Sequence, residues 1–548
     1  VETGRTKILP ERDEKVYYHW MRNIEPWCIS RQLWWGHQIP VWYGPNPNAH
    51  TGSEPSGPVK ICAASEAEVV QKAKEIYGKQ AEITFIPSGA SRQMNAMGTT
   101  LGADGAQRIT SVSLSRDEDV LDTWFSSGLW PLGTLGWPED TEELKRYFPT
   151  SVLITGFDII FFWVARMMMM QLEVAKEVPF DTVYVHALVR DEKGRKMSKS
   201  IGNVIDPLDL IEKYGADAVR FTLTSMAAMG RDLKLSEKRV EGYRNFGTKL
   251  WNAARFAEMN GAIGGQADVP QATATVNKWI IGETARLREK VDAALEQYRF
   301  NDAAGALYAH IWGVFCDWYL EFSKPLLAEG APEREETQAV MAWALDQCLV
   351  MAHPVMPFIT EQLWGDLGER SKMLVHADWP EYGVEIADAS ADAEMAWVIG
   401  LIENIRSLRA EMGLSPSAKL TLALVGADDT AQGRLERNRV LIERMARLEP
   451  VQFAGEAPEG SVTLPIEGAE ACLPLKGLVD VAAETARLKK ALAKLEKEVG
   501  GLKGKLSNEK FLAKAPEDVV AEQRERLGTA EGELAKLQMA AARVASLG

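Results

Sequence analysis

Residues 484–548 constrain the fold more tightly than any other stretch. Leu488, Leu492, Leu495, Val499, Leu502 and Leu506 step by alternating fours and threes, and Leu527, Ala530, Leu534, Leu537, Ala541 and Val544 repeat the rhythm. An apolar stripe of that period makes one face of a helix a seam that another helix must cover. The two runs are separated by the polar Ser507-Asn-Glu-Lys510, and Pro516-Glu-Asp518 is a good helix start. Residues 479–548 are therefore expected to form an antiparallel coiled-coil hairpin. Residues 484–548 carry 13 Lys and Arg against 10 Asp and Glu, a local net charge of +3, in a 548-residue chain whose net charge is −15. The basic bias is local.

The rest of the chain changes character in blocks. Residues 1 to 43 are rich in aromatics, and the Pro- and Gly-containing stretch from Gly44 to Arg116, with a helix-like run from Glu66 to Tyr77, reads as an inserted peripheral module. Between 150 and 235 the rhythm is strand, helix, strand, loop, helix. Val152-Leu-Ile154 and Val183–Val189 suit buried strands, Phe157–Met170 looks helical, and Asp209–Tyr214 is a helix stopped by Gly215. Such alternation predicts a parallel sheet whose ligands sit at the strands' carboxyl ends. From 236 to 385 the spacing is helical throughout, with Trp312, Phe315, Tyr319 and Phe322 on one face of an antiparallel bundle. A helix over Glu394–Met412 and short alternating runs such as Leu420–Val425 make 386–478 a small mixed α/β module.

Composition excludes several classes. With 46% hydrophobic and 25% charged residues the chain is globular, and its longest apolar run, beside Asp158, is broken by Arg166. No basic-then-apolar leader is visible, so a cytoplasmic location is expected. Five cysteines without a Cys-x-x-Cys pair fit a reducing compartment and give no legible metal site.

The most specific string is Gly194-Arg-Lys-Met-Ser-Lys-Ser-Ile-Gly-Asn203, two lysines three apart with serines between and after, on a Gly-flanked loop following a strand. Ammonium and hydroxyl donors beside the open end of a sheet suit a polyphosphate, whose transition-state charge they would stabilise. Lys196-Met-Ser-Lys-Ser200 matches, letter for letter, the second signature of the class I aminoacyl-tRNA synthetases. Around it, Trp27-Cys-Ile-Ser-Arg-Gln-Leu-Trp-Trp-Gly-His37, Asp122-Thr-Trp-Phe-Ser-Ser127, Thr155-Gly-Phe-Asp-Ile-Ile-Phe-Phe-Trp163 and His186-Ala-Leu-Val-Arg-Asp191 resemble the valyl-tRNA synthetase family in particular.

The resemblance implies ATP-dependent activation of valine to an adenylate and transfer to tRNA(Val). It implies that Lys199, assisted by Lys196, meets the triphosphate. His186, Ala187, Met197 and Ser198 would line the ATP site, and Trp124, Asp158, Ile159 and Trp163 the amino-acid pocket. Ile159 and Trp163, four apart, would share one helix face. Magnesium is expected only as the counterion of ATP, with no protein-bound metal, and the protein is expected to be a monomer with no membrane partner. The domains implied are the end of an editing domain and linker (1–20), the second half of a Rossmann-like catalytic domain (21–235, with 44–116 inserted), the anticodon-binding bundle (236–385), the small α/β module (386–478) and a tRNA-binding arm (479–548). On the arm, Lys489, Lys490, Lys494, Lys503 and Lys505, with Lys510 and Lys514, would face the RNA backbone. On the bundle, Lys249, Arg255, Arg286 and Arg299 are candidates by charge, while Trp251, Trp312 and Trp364 are read as core.

The chain departs from the family pattern in one respect. None of its seven histidines forms the His-x-Gly-His first signature, and Gly36-His37 lacks the preceding histidine. With Val1 rather than Met at the start, the chain is expected to be part of a longer polypeptide whose editing of mischarged threonine lies elsewhere, and to be inactive alone in forming valyl-adenylate. The alternatives are a sister synthetase for isoleucine or leucine, and a non-catalytic tRNA-binding protein built from synthetase domains.

Overall fold

The computed structural model describes residues 1–48, 57–87, 96–198, 200–230, 232–264, 268–415, 417–478, 481–508, 511 and 517–545. They fall into two compact units, Val1–Arg190 with Ala228–Leu233, and Asp191–Ala227 with Lys234–Gly548.

The first unit is built on a three-stranded parallel sheet in the order Lys7–Leu9, Phe180–His186, Thr150–Gly156. Phe180, Val183, Tyr184 and Val185 of the central strand are buried, the near-continuous apolar run of a parallel strand covered on both faces. The sequence places this strand at 183–189, but its pairing ends where His186 stands opposite Gly156, because the partner strand ends there. The first strand lies within the segment expected to be the end of an editing domain and linker, and it pairs with this sheet: Ile8, fully buried, sits opposite Val183. Three residues are too few for periodicity to reveal.

The segment read as a helix from Phe157 begins with a tight turn at Phe157–Ile159 and a widened turn at Ile160–Ala165, and becomes regular only over Arg166–Val174. Ile159 and Trp163 thus span a widened turn, a feature frequent at functional sites, and not a regular helix face. Met167 and Met168 point into the sheet's core.

Strands between Val41 and Arg116 form a five-stranded sheet. Val59–Cys62, Val41–Gly44, Gln107–Arg116 and Glu82–Ile86 lie in that order, and Met97–Leu101 also pairs with the long strand. The helix Glu66–Tyr77 buries Val69, Ala73 and Tyr77 in this sheet's own core, and Ser65 Oγ caps it by accepting from Glu68 N–H at 3.3 Å.

The second unit is mostly helical. Glu237–Met259, Thr275–Glu296, Phe300–Tyr308 (continued by the widened turns of Ala309–Tyr319), Leu320–Leu326, Arg334–Ala352 and Pro357–Asp366 share one core, in which Phe315, Tyr319 and Phe322 are fully buried. Ala389–Glu411 and Asp429–Ala446 join a four-stranded sheet in the order Gln452–Ala454, Ala423–Val425, Ala469–Pro474, Ser461–Ile466. Two long helices follow, Val481–Leu506 and Glu517–Ala545. Glu498 pairs with Arg526 at 3.0 Å and Lys505 reaches Gln523 at 3.4 Å, so the two run in opposite directions. Val499, Leu502 and Ala530 are buried between them. No described helix is long and apolar enough to cross a membrane.

Candidate functional site

The parallel sheet and the lysine loop belong to different units, and each is built by its own interactions. In the first unit, the carboxyl ends of two neighbouring strands bring Asp158 and His186 together. A Cβ placed on Gly156 would fall 2.7 Å from Asp158 Oδ1 and 3.7 Å from His186 Cε1. Only glycine lets the carboxylate lie back over the strand end. Both side chains are exposed, and the imidazole Nδ1 lies 2.9 Å from the carbonyl oxygen of Ala187. A carboxylate, an imidazole and a bare backbone at one sheet edge present polar groups to whatever docks there.

Beside this edge stands a block of aromatic side chains. Trp124 stacks on Phe162 with centroids 6.2 Å apart, and Trp20 stacks on Phe161 at 4.8 Å. Trp163 packs partly buried against the sheet core, and Ile159 is half-buried. The structure therefore places the four expected amino-acid-pocket residues on two neighbouring segments, the short helix Thr123–Gly128 and the turns after Gly156.

What sequence reasoning missed is the group that fastens those segments. Asp122, only 5% exposed, accepts from Trp27 Nε1 at 2.8 Å and from Arg166 Nη1 at 3.4 Å, and forms an ion pair with Arg31 Nη2 at 3.0 Å. The buried Arg166 guanidinium lies 3.9 Å above the Trp27 ring. Burial pulls its pKa down, and the Asp122 carboxylate works against that. A cavity of about 240 Å³ opens here, lined by Trp20, Trp27, Cys28, Arg31, Phe161 and Arg166 among others. An Asp before a helix reads as an ordinary cap, and nothing local in the sequence points to arginines 91 and 44 residues away.

In the second unit, the lysine loop turns on Asp191 and on Gly194, whose φ of +77° suits glycine. Lys196 is exposed, Met197 and Ser198 are half-buried, and Ser198 Oγ lies 3.1 Å from Ser200 Oγ. Lys199 lies outside the described residues. The hydrogen bond from Asn203, helped by Arg195, brings the Asp191 carboxyl down to about 2. A depressed carboxyl contributes stability that is complete above its ordinary pKa of 3.8 and fades only as pH falls towards about 2. Carbon-detected NMR of the Asp191 carboxyl is expected to show a midpoint near that lower value; a midpoint near 4 would refute it.

The cationic candidates divide. On the arm, Lys489, Lys490 and Lys494 are exposed and make no ion pair among the described residues. Lys503 pairs with Glu531 at 2.8 Å, and Lys505 lies over the Phe511 ring. Lys510 and Lys514 are outside the described residues. On the bundle, Lys249 pairs with Asp317 and lies over the Trp312 ring, Arg286 is held by Asp392 and Glu283, and Arg299 pairs with Asp302. Arg255 is exposed. Trp312 and Trp364 pack against the core as expected, but Trp251 is 37% exposed.

The tRNA synthetases class I (I, L, M and V) family matches residues 1–236, the anticodon-binding domain of tRNA ligases matches 277–424, and the valyl-tRNA synthetase tRNA-binding arm matches 480–545. Valine–tRNA ligase of Cereibacter sphaeroides is 56% identical over 579 residues, spanning 100% of this chain and 58% of its own length. That of Ruegeria pomeroyi is 57% identical over 559 residues, spanning 100% and 54%. That of Nitrobacter winogradskyi is 49% identical over 565 residues, spanning 98% and 57%. The chain thus spans little more than half the length of the curated relatives it matches. With matches to the class I synthetases, the anticodon-binding domain and the valyl-tRNA synthetase tRNA-binding arm in one polypeptide, the chain belongs to the valyl-tRNA synthetase family.

Proposed function

We propose that this chain serves a valine–tRNA ligase: valine's carboxylate attacks the α-phosphorus of ATP, pyrophosphate leaves, and a terminal ribose hydroxyl of tRNA(Val) then takes the valyl group. The chemistry needs little acid–base catalysis, so positioning and electrostatics carry the rate. Lys196 and Lys199 would neutralise charge gathering on the triphosphate as the α–β bridge breaks. Magnesium would accompany ATP as part of the substrate. Asp158 and His186, with Ala187, would receive the adenosine and the amino acid's ammonium. Trp124, Ile159 and Trp163 would close on the two methyl groups, where a snug apolar wall discriminates by size. Threonine, nearly isosteric with valine, would have to be removed by hydrolysis at an editing domain outside this chain.

The domain assignments follow the same reading. The catalytic half occupies the sheet and the lysine loop, the bundle meets the anticodon, and 479–548 is a coiled-coil arm on the tRNA backbone. A monomer working in the cytoplasm is the form this reading favours. The observation that supports it best is the unbroken Lys196-Met-Ser-Lys-Ser200 string in a chain at least 48% identical over nearly its whole length to named valine–tRNA ligases.

Three measurements test it. The chain alone, which has no His-x-Gly-His string, is expected to give no valine-dependent pyrophosphate exchange; clear exchange would overturn that. It is nonetheless expected to bind tRNA(Val) in preference to tRNA(Ile) and tRNA(Leu). Equal binding of all three would favour a non-catalytic RNA-binding protein, and preference for another would point to a sister enzyme. Neutralising Lys489, Lys490 and Lys494 to Gln should reduce the slope of log K against log salt by about two to three. An unchanged slope would remove the arm from the interface.

A further inference from the structure

The lysine loop is fastened at both ends by two side chains to which the functional reading gives no role. Asp191, 8% exposed, spends both carboxylate oxygens on the loop. Oδ1 accepts from the backbone N–H of Lys193 at 3.0 Å and of Arg195 at 2.8 Å. Oδ2 accepts from Arg195 Nε at 2.8 Å and Asn203 Nδ2 at 3.0 Å. Asn203, twelve residues later, is used just as fully. Its Nδ2 also donates to the Lys196 carbonyl oxygen at 3.2 Å, and its Oδ1 accepts from Ser198 N–H at 3.0 Å.

Only a carboxamide of this length fits position 203. Flipped, it would set its oxygen against a carboxylate and a carbonyl; as Asp, it would lose both donors and meet Asp191 as a like charge. The two contacts from Asn203 fall on Lys196 O and Ser198 N, directly bracketing Met197. Among the described residues Ser198 Oγ makes only local contacts, with Ser200 Oγ and Ile201 N–H, and the Ser198 carbonyl oxygen accepts from Ile201 and Gly202 N–H at 3.2 Å each.

We propose that Asp191 and Asn203 are positioning residues, a clasp that fixes the backbone through 195–198 and so sets where the Lys196 ammonium can reach. The inference rests on the reading that the loop's lysines meet a triphosphate. A lysine on an unfastened loop would spread its charge over many positions, and every position lost to the transition state lowers the rate. The hydrogen bonds converge on two side chains, so removing either one frees several backbone points together.

The clasp is tested first without any ligand. Amide hydrogen exchange in Asn203→Ala is expected to quicken across 193–198 by about tenfold, the effect of losing two or three hydrogen bonds. The helix Glu237–Met259 should keep its protection. Asn203→Asp should loosen the loop at least as much. Unchanged exchange at 193–198 in both variants would overturn the clasp. The second arm is kinetic, in an enzyme form active in valine-dependent pyrophosphate exchange. There Asn203→Ala should lower kcat by about tenfold or more and leave the KM for valine within about twofold, since the charge is misplaced only for the transferring phosphate. A loosened loop with unaltered kcat would overturn the positioning role while the ligase reading stands. Failure of the unsubstituted enzyme to exchange with valine would instead defeat the ligase reading, leaving the hydrogen-exchange result to judge the clasp.

Discussion

Asp346→Ala is expected to destabilise the helical unit by about 3–5 kcal/mol, the loss typical when one partner of a buried ion pair is removed. Asp346 and Arg370 meet through two hydrogen bonds of 2.7 Å each, with only 5% and 8% of their side chains exposed. The guanidinium also lies 3.8 Å over the Trp364 ring and donates through Nε to the Trp364 carbonyl oxygen at 2.8 Å. Gly264 closes over the pair, so that a Cβ there would fall 2.6 Å from Asp346 Oδ2. Truncation at 346 therefore strands a buried cation, a cost far greater than that of an exposed pair. Urea unfolding followed by tryptophan fluorescence measures it. Asp346→Leu combined with Arg370→Met should recover most of the loss, because no charge is then left without a partner. A single variant losing less than about 1 kcal/mol would mean that the pair is hydrated.

Arg370 shows why part of this molecule was legible in its sequence and part was not. Local patterns are legible. The helices at Glu66–Tyr77 and Pro207–Tyr214, the latter ended by Gly215 at φ +89°, follow from apolar spacing and end signals within the element. The stripe through Phe315, Tyr319 and Phe322 is buried as its spacing demands, although the backbone there is widened. The lysine string is legible as a string because it is five consecutive letters. Interactions that cross the chain were not. Lys7–Leu9 is a strand only because Phe180–His186 offers it an edge. Asn203 looks like a turn residue, and its partnership with Asp191 depends on a loop doubling back over twelve positions. Trp251 reads as core by residue type, yet its helix turns it to the surface. In each case the deciding term is tertiary: which surface is available to bury a side chain or satisfy a polar group.

The same logic makes Asp122 the most consequential side chain in the first unit. It lies immediately before Thr123–Gly128, the helix that carries Trp124, while its N–H donates to the Ile29 carbonyl oxygen at 2.8 Å. Its carboxylate gathers Trp27, Arg31 and Arg166, so two segments distant in sequence converge on one charge. Asp122→Ala would leave Arg166, 7% exposed, with Arg31 as its charged neighbour, a like charge. A loss of about 3–5 kcal/mol is expected, with the Arg166 guanidinium forced off the Trp27 ring. Asp122→Asn separates the two parts of this effect. The amide oxygen still accepts from the Trp27 indole, so the fold should survive, but the charge that offsets Arg166 is gone. Thermal unfolding should place Asp122→Asn between the unsubstituted chain and Asp122→Ala. Trp124 is two residues away and stacks on Phe162, so on the proposal that Trp124 lines the valine pocket both substitutions should also weaken valine binding in an exchange-competent enzyme, Asp122→Ala by about tenfold or more. If Asp122→Asn matched the unsubstituted chain in both stability and valine affinity, the carboxylate's charge would not be what holds Trp124 and Arg166 in place, and the indole hydrogen bond alone would have to explain the convergence.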